Sequence, residues 1–289
     1  MEAILLGTGC PAADPLRCGA ATLLRGGGAA VLVDCGAGAV HRCLQAGQPP
    51  RELDAVVLTH LHSDHLVDLY QLIVSAWHAG RDRPWRVLGP APVLRHVEGL
   101  MALWADERAA RVAFERRPST AALEIEPVEL RDGMTVPVGG MTMTAVEVDH
   151  RPVVPALGLV AEADAAAVVV SGDTRRCDAL IEAGRGCDLL IHECFLHREM
   201  APVPGVRSAE TVEAVASYHT LSSEVGGVAR DMEAGALMLT HFVPPRFDRA
   251  ALLTEVRETW DGPLMIGEDL MAYDCKSRSV RFGGAVVGM

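Results

Sequence analysis

Short apolar runs that end in polar residues recur along the chain and predict its strands. Glu2–Leu6 leads into the glycine turn Gly7-Thr8-Gly9, and Ala29–Val33 ends at Asp34. Ala55–Thr59 is a third apolar run, with β-branched residues, and it stops abruptly at a polar segment. Runs of this length, bounded by glycine or polar residues, are typical of strands. The first part of the chain is therefore expected to deliver several loops to one edge of a sheet.

The second half of the chain repeats this pattern and adds helical spacing. Met141–Val148 alternates apolar and polar residues, which is typical of a half-buried strand. The other predicted elements are strands at Ala167–Ser171, Cys187–Ile191 and Ala236–Leu239 and helices at Leu66–Trp77, Ser222–Ala234 and Arg249–Trp260. The chain has no internal repeat and no linker rich in Pro, Gly or Ser. We therefore predict one domain, residues 1–289, of mixed strands and helices.

One predicted strand after another is followed by an acidic residue or a histidine. The residues in these positions are Asp34, His60, His150, Asp173, the pair His192-Glu193, and His241. Equivalent strand ends lie along one edge of a sheet, so residues that are distant in sequence can meet there. The pattern predicts a functional site at that edge.

The segment His60-Leu61-His62-Ser63-Asp64-His65 places three imidazoles and a carboxylate within six residues. Imidazole nitrogen and carboxylate oxygen suit Zn²⁺ and similar ions. Strand alternation lets His60 and His62 point the same way, and the following turn can aim Asp64 and His65 at a second point. The segment therefore favours two adjacent ions. The alternative is a polar surface loop, but clustering so many titratable groups without a metal is costly.

This segment matches the H-x-H-x-D-H signature of the metallo-β-lactamase-fold superfamily of metal-dependent hydrolases, which the chain resembles over nearly its whole length. Asp34, His150, Asp173 and His241 match the other motifs in the family's order. The resemblance implies an α/β fold, an αββα sandwich of two mixed β-sheets flanked by helices. It also implies that the metals lie at one edge between the sheets.

The resemblance further implies a dinuclear centre with two divalent metal ions. It assigns His60, His62 and His150 to one ion, Asp64, His65 and His241 to the other, and Asp173 to a position bridging both. Zinc is the expected metal, and manganese and iron also bind such ligands. Asp34 is implied to brace the ligand loop through hydrogen bonds without binding metal.

Three further segments, His150–Gly158, Asp188–Phe195 and His219–Ser222, resemble the ribonuclease Z and arylsulfatase-like branch of this superfamily, the last two inexactly. The resemblance implies that Glu193 and His219 serve in proton transfer, and we expect the carboxylate to raise the pKa of the imidazole. Asp64 is expected to orient the attacking hydroxide or take its proton. In the alternative interpretation, Glu193 orients another histidine and His219 caps the helix that follows.

The negative net charge of the chain argues against a surface that binds nucleic acid non-specifically. Lys and Arg total 26 against 38 Asp and Glu, the net charge is −12, and Lys276 is the single lysine. Ribonuclease Z enzymes commonly carry a long basic arm between the third-motif histidine and the bridging aspartate, and residues 151–172 leave no room for it. The arginines at 108, 111, 116 and 117 are mixed with acidic residues, which favours a solvated helix face.

The predicted function is a metal-dependent hydrolase that uses a dinuclear centre and bridging hydroxide on a small or medium anionic ester, a phosphodiester or sulfate ester. Nucleic acid is the less favoured partner, because an acidic surface gains little affinity from counterion release. The alternatives are a tRNA 3′ processing endoribonuclease, a lactone or carboxyl-ester hydrolase, and a non-enzymatic metal-binding scaffold. The scaffold is disfavoured because structural zinc sites are closed and four-coordinate.

The pattern of cysteines and the length of the apolar runs indicate the cellular compartment that we expect for this protein. Eight cysteines are dispersed without a C-x-x-C pair, and no basic-then-apolar leader precedes the first strand. No apolar stretch approaches the ~20 residues of a membrane helix. We expect a soluble, cytoplasmic protein with reduced thiols and no membrane partner, and the sequence leaves a homodimer open.

Overall fold

The computed structural model describes residues 1–289 and contains two β-sheets with helices packed on their outer faces. The strands are β1 (Glu2–Gly7), β2 (Ala21–Gly26), β3 (Ala29–Val33), β4 (Ala55–Val57), β5 (Trp85–Gly89), β6 (Ile125–Glu129), β7 (Thr135–Val138), β8 (Met141–Val148), β9 (Ala156–Ala163), β10 (Ala166–Val170), β11 (Leu189–Phe195), β12 (Leu237–Val243), β13 (Leu264–Ile266), β14 (Ala272–Asp274), β15 (Ser279–Phe282) and β16 (Ala285–Gly288). The nine-stranded sheet has the order β16-β15-β14-β1-β2-β3-β4-β5-β6, and the seven-stranded sheet has the order β13-β12-β11-β10-β9-β8-β7.

Eight α-helices connect and cover these strands. They are α1 (Ala39–Gln45), α2 (Leu69–His78), α3 (Ala91–Leu103), α4 (Ala105–Glu115), α5 (Asp178–Ala183), α6 (Ala209–Ala216), α7 (Ser222–Asp231) and α8 (Arg249–Arg257). None of them combines the length and the apolar character that crossing a membrane requires. Helix α4 buries no residue, and its Arg111 pairs with Glu107 and Glu115, as expected for a solvated helix face.

Three apolar clusters hold the layers together. The largest contains 30 buried residues contributed by both sheets and fills the space between them. A second cluster joins the nine-stranded sheet to α1, α2 and α3, and a third joins the seven-stranded sheet to α5, α7 and α8. Each fully buried Leu, Ile or Val side chain contributes roughly 1.5–3 kcal/mol relative to its exposed state. The predicted αββα sandwich is confirmed.

Parallel pairing explains why the polar strand ends meet. Strands β3, β4, β5 and β6 run parallel in one sheet, and β10, β11, β12 and β13 run parallel in the other. Because β9 is antiparallel to both β8 and β10, β8 ends at the same edge as β10. The carboxyl ends of these strands bring their loops to one edge of the sandwich.

Strand β11 differs from the prediction, which ended it at Ile191. The strand continues to Phe195 and all of its residues are buried, so His192 and Glu193 lie inside it. The reason is its central position: β10 and β12 pair with it on both sides, so its backbone hydrogen bonds continue past the apolar run. The predicted strand end before His192 was wrong.

Candidate metal centre and active site

The residues predicted as metal ligands converge at the carboxyl edge of the two sheets. Loops after β4, β8, β10 and a bulge in β12 supply them. They form one group of His60, His62, His150 and Asp173, and a second group of Asp64, His65 and His241, with the candidate ligand atoms of each group within 4.8 Å of one another. The division agrees with the one the family resemblance implies.

The first group is built around His62. Its Nδ1 lies 3.0 Å from Nε2 of His60 and 3.0 Å from Nε2 of His150. One imidazole nitrogen carries either one proton or one lone pair, so it cannot satisfy both neighbours by hydrogen bonding. Three imidazole nitrogens directed at one point in this way make the arrangement that a bound cation requires.

Asp173 joins the two groups. Its Oδ2 lies 3.3 Å from Nε2 of His65 and 3.4 Å from Nε2 of His241 in the second group. The same oxygen is 3.7 Å from Nε2 of His60 and 3.8 Å from Nε2 of His150 in the first group. A single carboxylate oxygen therefore faces both groups, which is the position that the bridging assignment needs.

Unsatisfied polar atoms show that these residues fit divalent ions. Nε2 of His65, Nδ1 of His241 and Oδ1 of Asp173 are buried without a hydrogen-bond partner. Leaving a polar atom in that state costs about 1–3 kcal/mol each. Histidine nitrogens and carboxylate oxygens are ligands for Zn²⁺, Mn²⁺ and Fe²⁺, so the donor chemistry agrees with the geometry.

Opposed electrostatic effects act at the centre of the cluster. Burial alone would raise the pKa of Asp173, but His241, His65 and His60 outweigh it and hold that pKa well below its ordinary value. Burial lowers the pKa of His60 well below normal, with a further contribution from His65. Burial lowers the pKa of His150 to about 4. The Asp173 carboxylate is therefore ionised, and His60 and His150 are neutral, the protonation states in which these side chains can bind a metal ion.

Asp34 braces the ligand loop. It is buried at 5% exposure, and its Oδ2 accepts a hydrogen bond of 2.8 Å from Nδ1 of His65. Its carboxylate also accepts from the backbone N–H and hydroxyl of Thr59, directly before His60. These bonds orient His65 with Nε2 toward Asp173 and tie the start of the ligand loop to the end of β3.

Other ligands are oriented by groups that the sequence did not reveal. His150 donates from Nδ1 to the carbonyl of Tyr218 at 3.0 Å, and Nδ1 of His60 lies 3.0 Å from the Thr59 hydroxyl. Tyr218 is 68 positions away in the chain, and no local pattern announces its carbonyl as a partner. Thr59 was visible only as the last residue of an apolar run.

His241 reaches the cluster through a bulge. The β11–β12 register shifts between Glu193 and Cys194, so that Thr240 and Phe242 are paired but His241 has no partner. Its φ is 45°, a left-handed value that is rare outside glycine. Bulges of this kind redirect a side chain near active sites. The backbone N–H of Phe242 bonds the carbonyl of Thr8 and anchors the bulge to the first loop.

Glu193 and His219 form a buried pair beside the cluster. Oε1 of Glu193 accepts from the backbone N–H of Thr174 at 2.8 Å and lies 2.7 Å from Nδ1 of His219. Burial raises the pKa of Glu193 well above its ordinary value, and the charge of Asp173 adds to this effect. Burial lowers the pKa of His219, so the expectation that the carboxylate raises it was wrong. For both residues, burial therefore disfavours the charged form of the side chain.

Two cavities open beside the centre. One, of about 460 Å³, is lined by residues that include Cys10, Arg17 and Asp64. The other, of about 360 Å³, is lined by residues that include Arg175, Arg176 and His219. His219 also lies close enough to Asp173 and His241 to form a third potential ligand group. A substrate has room next to Asp64 and next to His219.

Comparison with known proteins assigns the family. Residues 29–242 match the Beta-lactamase superfamily domain. The chain belongs to this superfamily. It is 34% identical over 290 residues to ribonuclease Z of Mycobacterium bovis (strain BCG / Pasteur 1173P2), with 96% of this chain and 99% of that protein covered. It is 32% identical to ribonuclease Z of Mycobacterium marinum (strain ATCC BAA-535 / M), with 96% and 100% covered.

Solved structures agree on the fold. Human tRNase Z, short form, superposes with a TM-score of 0.70 at 19% identity and covers 95% of this chain and 99% of its own. The metallo-β-lactamase-fold protein YhfI from Bacillus subtilis also has a TM-score of 0.70, at 21% identity, covering 94% and 99%. The prediction of a metallo-hydrolase that acts on ester bonds is confirmed. The ribonuclease Z relatives favour the ribonuclease alternative, and they do not support the predicted small-molecule substrate.

Proposed function

We propose that this protein is a ribonuclease Z-type endoribonuclease that hydrolyses a phosphodiester bond at the 3′ end of precursor tRNA. One observation carries the proposal: the similarity to ribonuclease Z extends over 96% of this chain and 99% of the relative. The whole predicted site, from Asp34 to His241, therefore lies within the shared sequence.

The proposed metal ligands are the residues of the two groups. His60, His62 and His150 would hold one ion, Asp64, His65 and His241 would hold the other, and Asp173 would lie between them. Zinc is the ion we propose, with manganese and iron as alternatives. When bound, divalent ions supply Lewis acidity that polarises phosphoryl oxygens and lowers the pKa of water.

In this proposal, one residue of the chain accepts a proton from the attacking water and another donates a proton to the leaving oxygen. Asp64 borders the 460 Å³ cavity, and its Oδ2 lies 3.2 Å from Nε2 of His241, which holds the carboxylate in place. We assign it the role of orienting the attacking water and accepting its proton at a carboxylate oxygen. His219 borders the 360 Å³ cavity with Nδ1 held by Glu193, so its Nε2 is the atom that donates a proton to the leaving oxygen.

Cleavage of a precursor tRNA tests the proposal. Metal-replete protein should release the 3′ trailer in a single cut after the discriminator base, and protein treated with a chelator should not. Asp64→Asn should also fail to cleave, because it retains the shape of the side chain but loses the carboxylate that we assign both to metal binding and to proton acceptance; its metal content is measured to separate the two roles. Binding without cleavage, or degradation from the 3′ end, would refute the assignment.

A second candidate, hydrolysis of small phosphodiesters, is favoured by the segment between His150 and Asp173. Its only regular structure is the β9–β10 hairpin, so no projecting arm is present there. The net charge of −12 also weakens non-specific attraction to RNA. Comparing kcat/KM for a precursor tRNA and for bis(p-nitrophenyl) phosphate decides between the two candidates. A higher value for the small diester would favour the second.

A further inference from the structure

The cavity next to His219 contains two arginines that have no part in the chemistry described above. We call it the arginine cavity, and it is lined by Arg175, Arg176, Ala216, Ser217, His219, Leu221 and Glu224. Its volume is about 360 Å³, and Ala216 and Leu221 are the apolar members of its lining. Because His219 is the proposed donor to the leaving oxygen, this cavity receives the part of the substrate that carries that oxygen.

Arg175 shares its acidic partner with a second arginine. Oδ2 of Asp149 pairs with Arg151 at 2.5 Å and with Arg175 at 2.6 Å, and its Oδ1 accepts a further bond from Arg151 at 2.8 Å. Two guanidinium groups share one carboxylate, so Asp149 compensates only one of the two positive charges. The side chains of Arg151 and Arg175 are 67% and 52% exposed, which leaves donors on each guanidinium free for another anion.

Backbone contacts hold Arg175 in place relative to the candidate active site. Its N–H bonds the carbonyl of Asp149 at 3.1 Å. The preceding residue, Thr174, donates its N–H to Glu193, and its carbonyl accepts from the Thr220 hydroxyl at 2.7 Å. The loop carrying Arg175 is therefore attached to both flanks of the Glu193–His219 pair, which fixes the backbone from which the guanidinium group extends.

The other charged residues of the cavity are Arg176, which has acidic partners, and Glu224, which keeps its negative charge. Arg176 pairs with Asp231 at 2.9 Å and with Asp178 at 3.3 Å. The Glu224 carboxylate accepts from the backbone N–H of Leu221 and lies in the first turn of α7, where a helix dipole stabilises negative charge. Arg175 is therefore the principal anion-binding group, and Arg176 is an auxiliary one.

We propose that Arg175, assisted by Arg151 and Arg176, binds the phosphate that lies next to the scissile phosphate on the leaving-group side of a single-stranded RNA end. The proposal rests on the proposed function, because it takes RNA as the substrate and His219 as the donor. Guanidinium groups bind phosphate oxygens through two parallel hydrogen bonds, so arginine suits this position better than lysine. The interaction adds affinity for a chain of phosphates without reading base identity.

Two measurements on Arg175→Ala and Arg175→Lys test the proposal. The first is binding of a short oligouridylate with phosphorothioate linkages, which resist cleavage, across a salt series. Loss of one phosphate contact should reduce the slope of log affinity against log salt by about 0.7. The second is kcat/KM for a precursor tRNA and for bis(p-nitrophenyl) phosphate, which has no neighbouring phosphate. The loss should be roughly tenfold greater for the RNA, and the lysine variant should restore only part of it.

Arg185→Ala is the matched control. Arg185 is also about half exposed and pairs with two acidic residues, Glu182 and Glu233, but it precedes β11 at the opposite edge of the sheet. Its removal should leave the salt slope at the wild-type value. Metal content is measured for all variants, because Arg175 also contacts the residue before His150.

The outcomes separate this proposal from the function on which it rests. An unchanged salt slope in Arg175→Ala would overturn the proposed phosphate site. Equal losses on both substrates together with reduced metal content would also overturn it, since Arg175 would then only support the His150 loop. A reduced slope in an enzyme that fails to cut precursor tRNA would sustain the phosphate site and refute only the tRNA assignment.

Discussion

Replacing Asp34 by asparagine separates its effect on metal binding from its effect on folding. Asp34 has a φ of 60°, a conformation that asparagine tolerates better than most residues, so the backbone can stay as it is. The amide oxygen can still accept from the N–H of Thr59. The amide N–H₂ would face Nδ1 of His65, where the carboxylate now accepts. An imidazole that accepts at Nδ1 carries its proton on Nε2, the atom directed at Asp173.

The expected magnitude follows from these contacts. Changing the group that orients a metal ligand costs roughly 10–100-fold in metal affinity, and we expect that loss for the ion held by His65 in Asp34→Asn. Asp34→Ala is more severe, because it leaves the Thr59 N–H and the His65 Nδ1 buried without an acceptor. At about 1–3 kcal/mol for each group, the free energy of unfolding should fall by roughly 2–6 kcal/mol.

The assay combines metal analysis after dialysis against a competing chelator with thermal unfolding of the metal-free protein. Asp54→Asn is the control, since Asp54 also accepts a backbone N–H, that of Ala30, but before β4 and away from the cluster. Asp34→Asn should lose metal and keep a Tm close to wild type. Wild-type metal affinity in Asp34→Asn would refute the argument that Asp34 sets the protonation of His65.

Three other expectations are open to direct measurement. Metal analysis should give two ions per chain, and His62→Ala should lower that content and abolish activity; a full complement of metal in an active His62→Ala protein would contradict the dinuclear centre. His219→Ala should lower kcat by about 10²-fold for substrates with poor leaving groups and much less for nitrophenyl esters, as expected for loss of a general acid; equal losses on both would show a structural role. Leu32→Ala, at a fully buried position of the nine-stranded sheet, should reduce the free energy of unfolding by about 2–5 kcal/mol, whereas Leu44→Ala, 56% exposed, should change it by less than about 0.5 kcal/mol.

Local sequence patterns were sufficient to predict the strand whose apolar and polar residues alternate and the compact segment of candidate ligands. Met141–Val148 is a strand over its full predicted length, and its burial alternates as far as Ala145, after which the buried residues Val146 and Val148 lie on the other face. The segment from His60 to His65 is contiguous, so its chemistry could be recognised without a structure. Short edge strands such as β15 and β16 carry too weak a pattern, and they become strands through pairing with β14 and with each other.

Apolar periodicity in the sequence predicted mixed strands and helices, and the dense His and Asp motif predicted metal chemistry. The αββα class and the full set of candidate ligands followed from the resemblance to the metallo-β-lactamase-fold superfamily. Tertiary structure alone decided how these residues act on one another. It placed Asp173 between two groups, rotated His241 into the site through a bulge, and put Glu193 inside a buried strand. It also buried His219, which lowers the pKa of that side chain where an increase was expected. It placed Arg175 and Arg151 on the same carboxylate, that of Asp149. These properties depend on strand register and on burial, and both are set by contacts between distant parts of the chain.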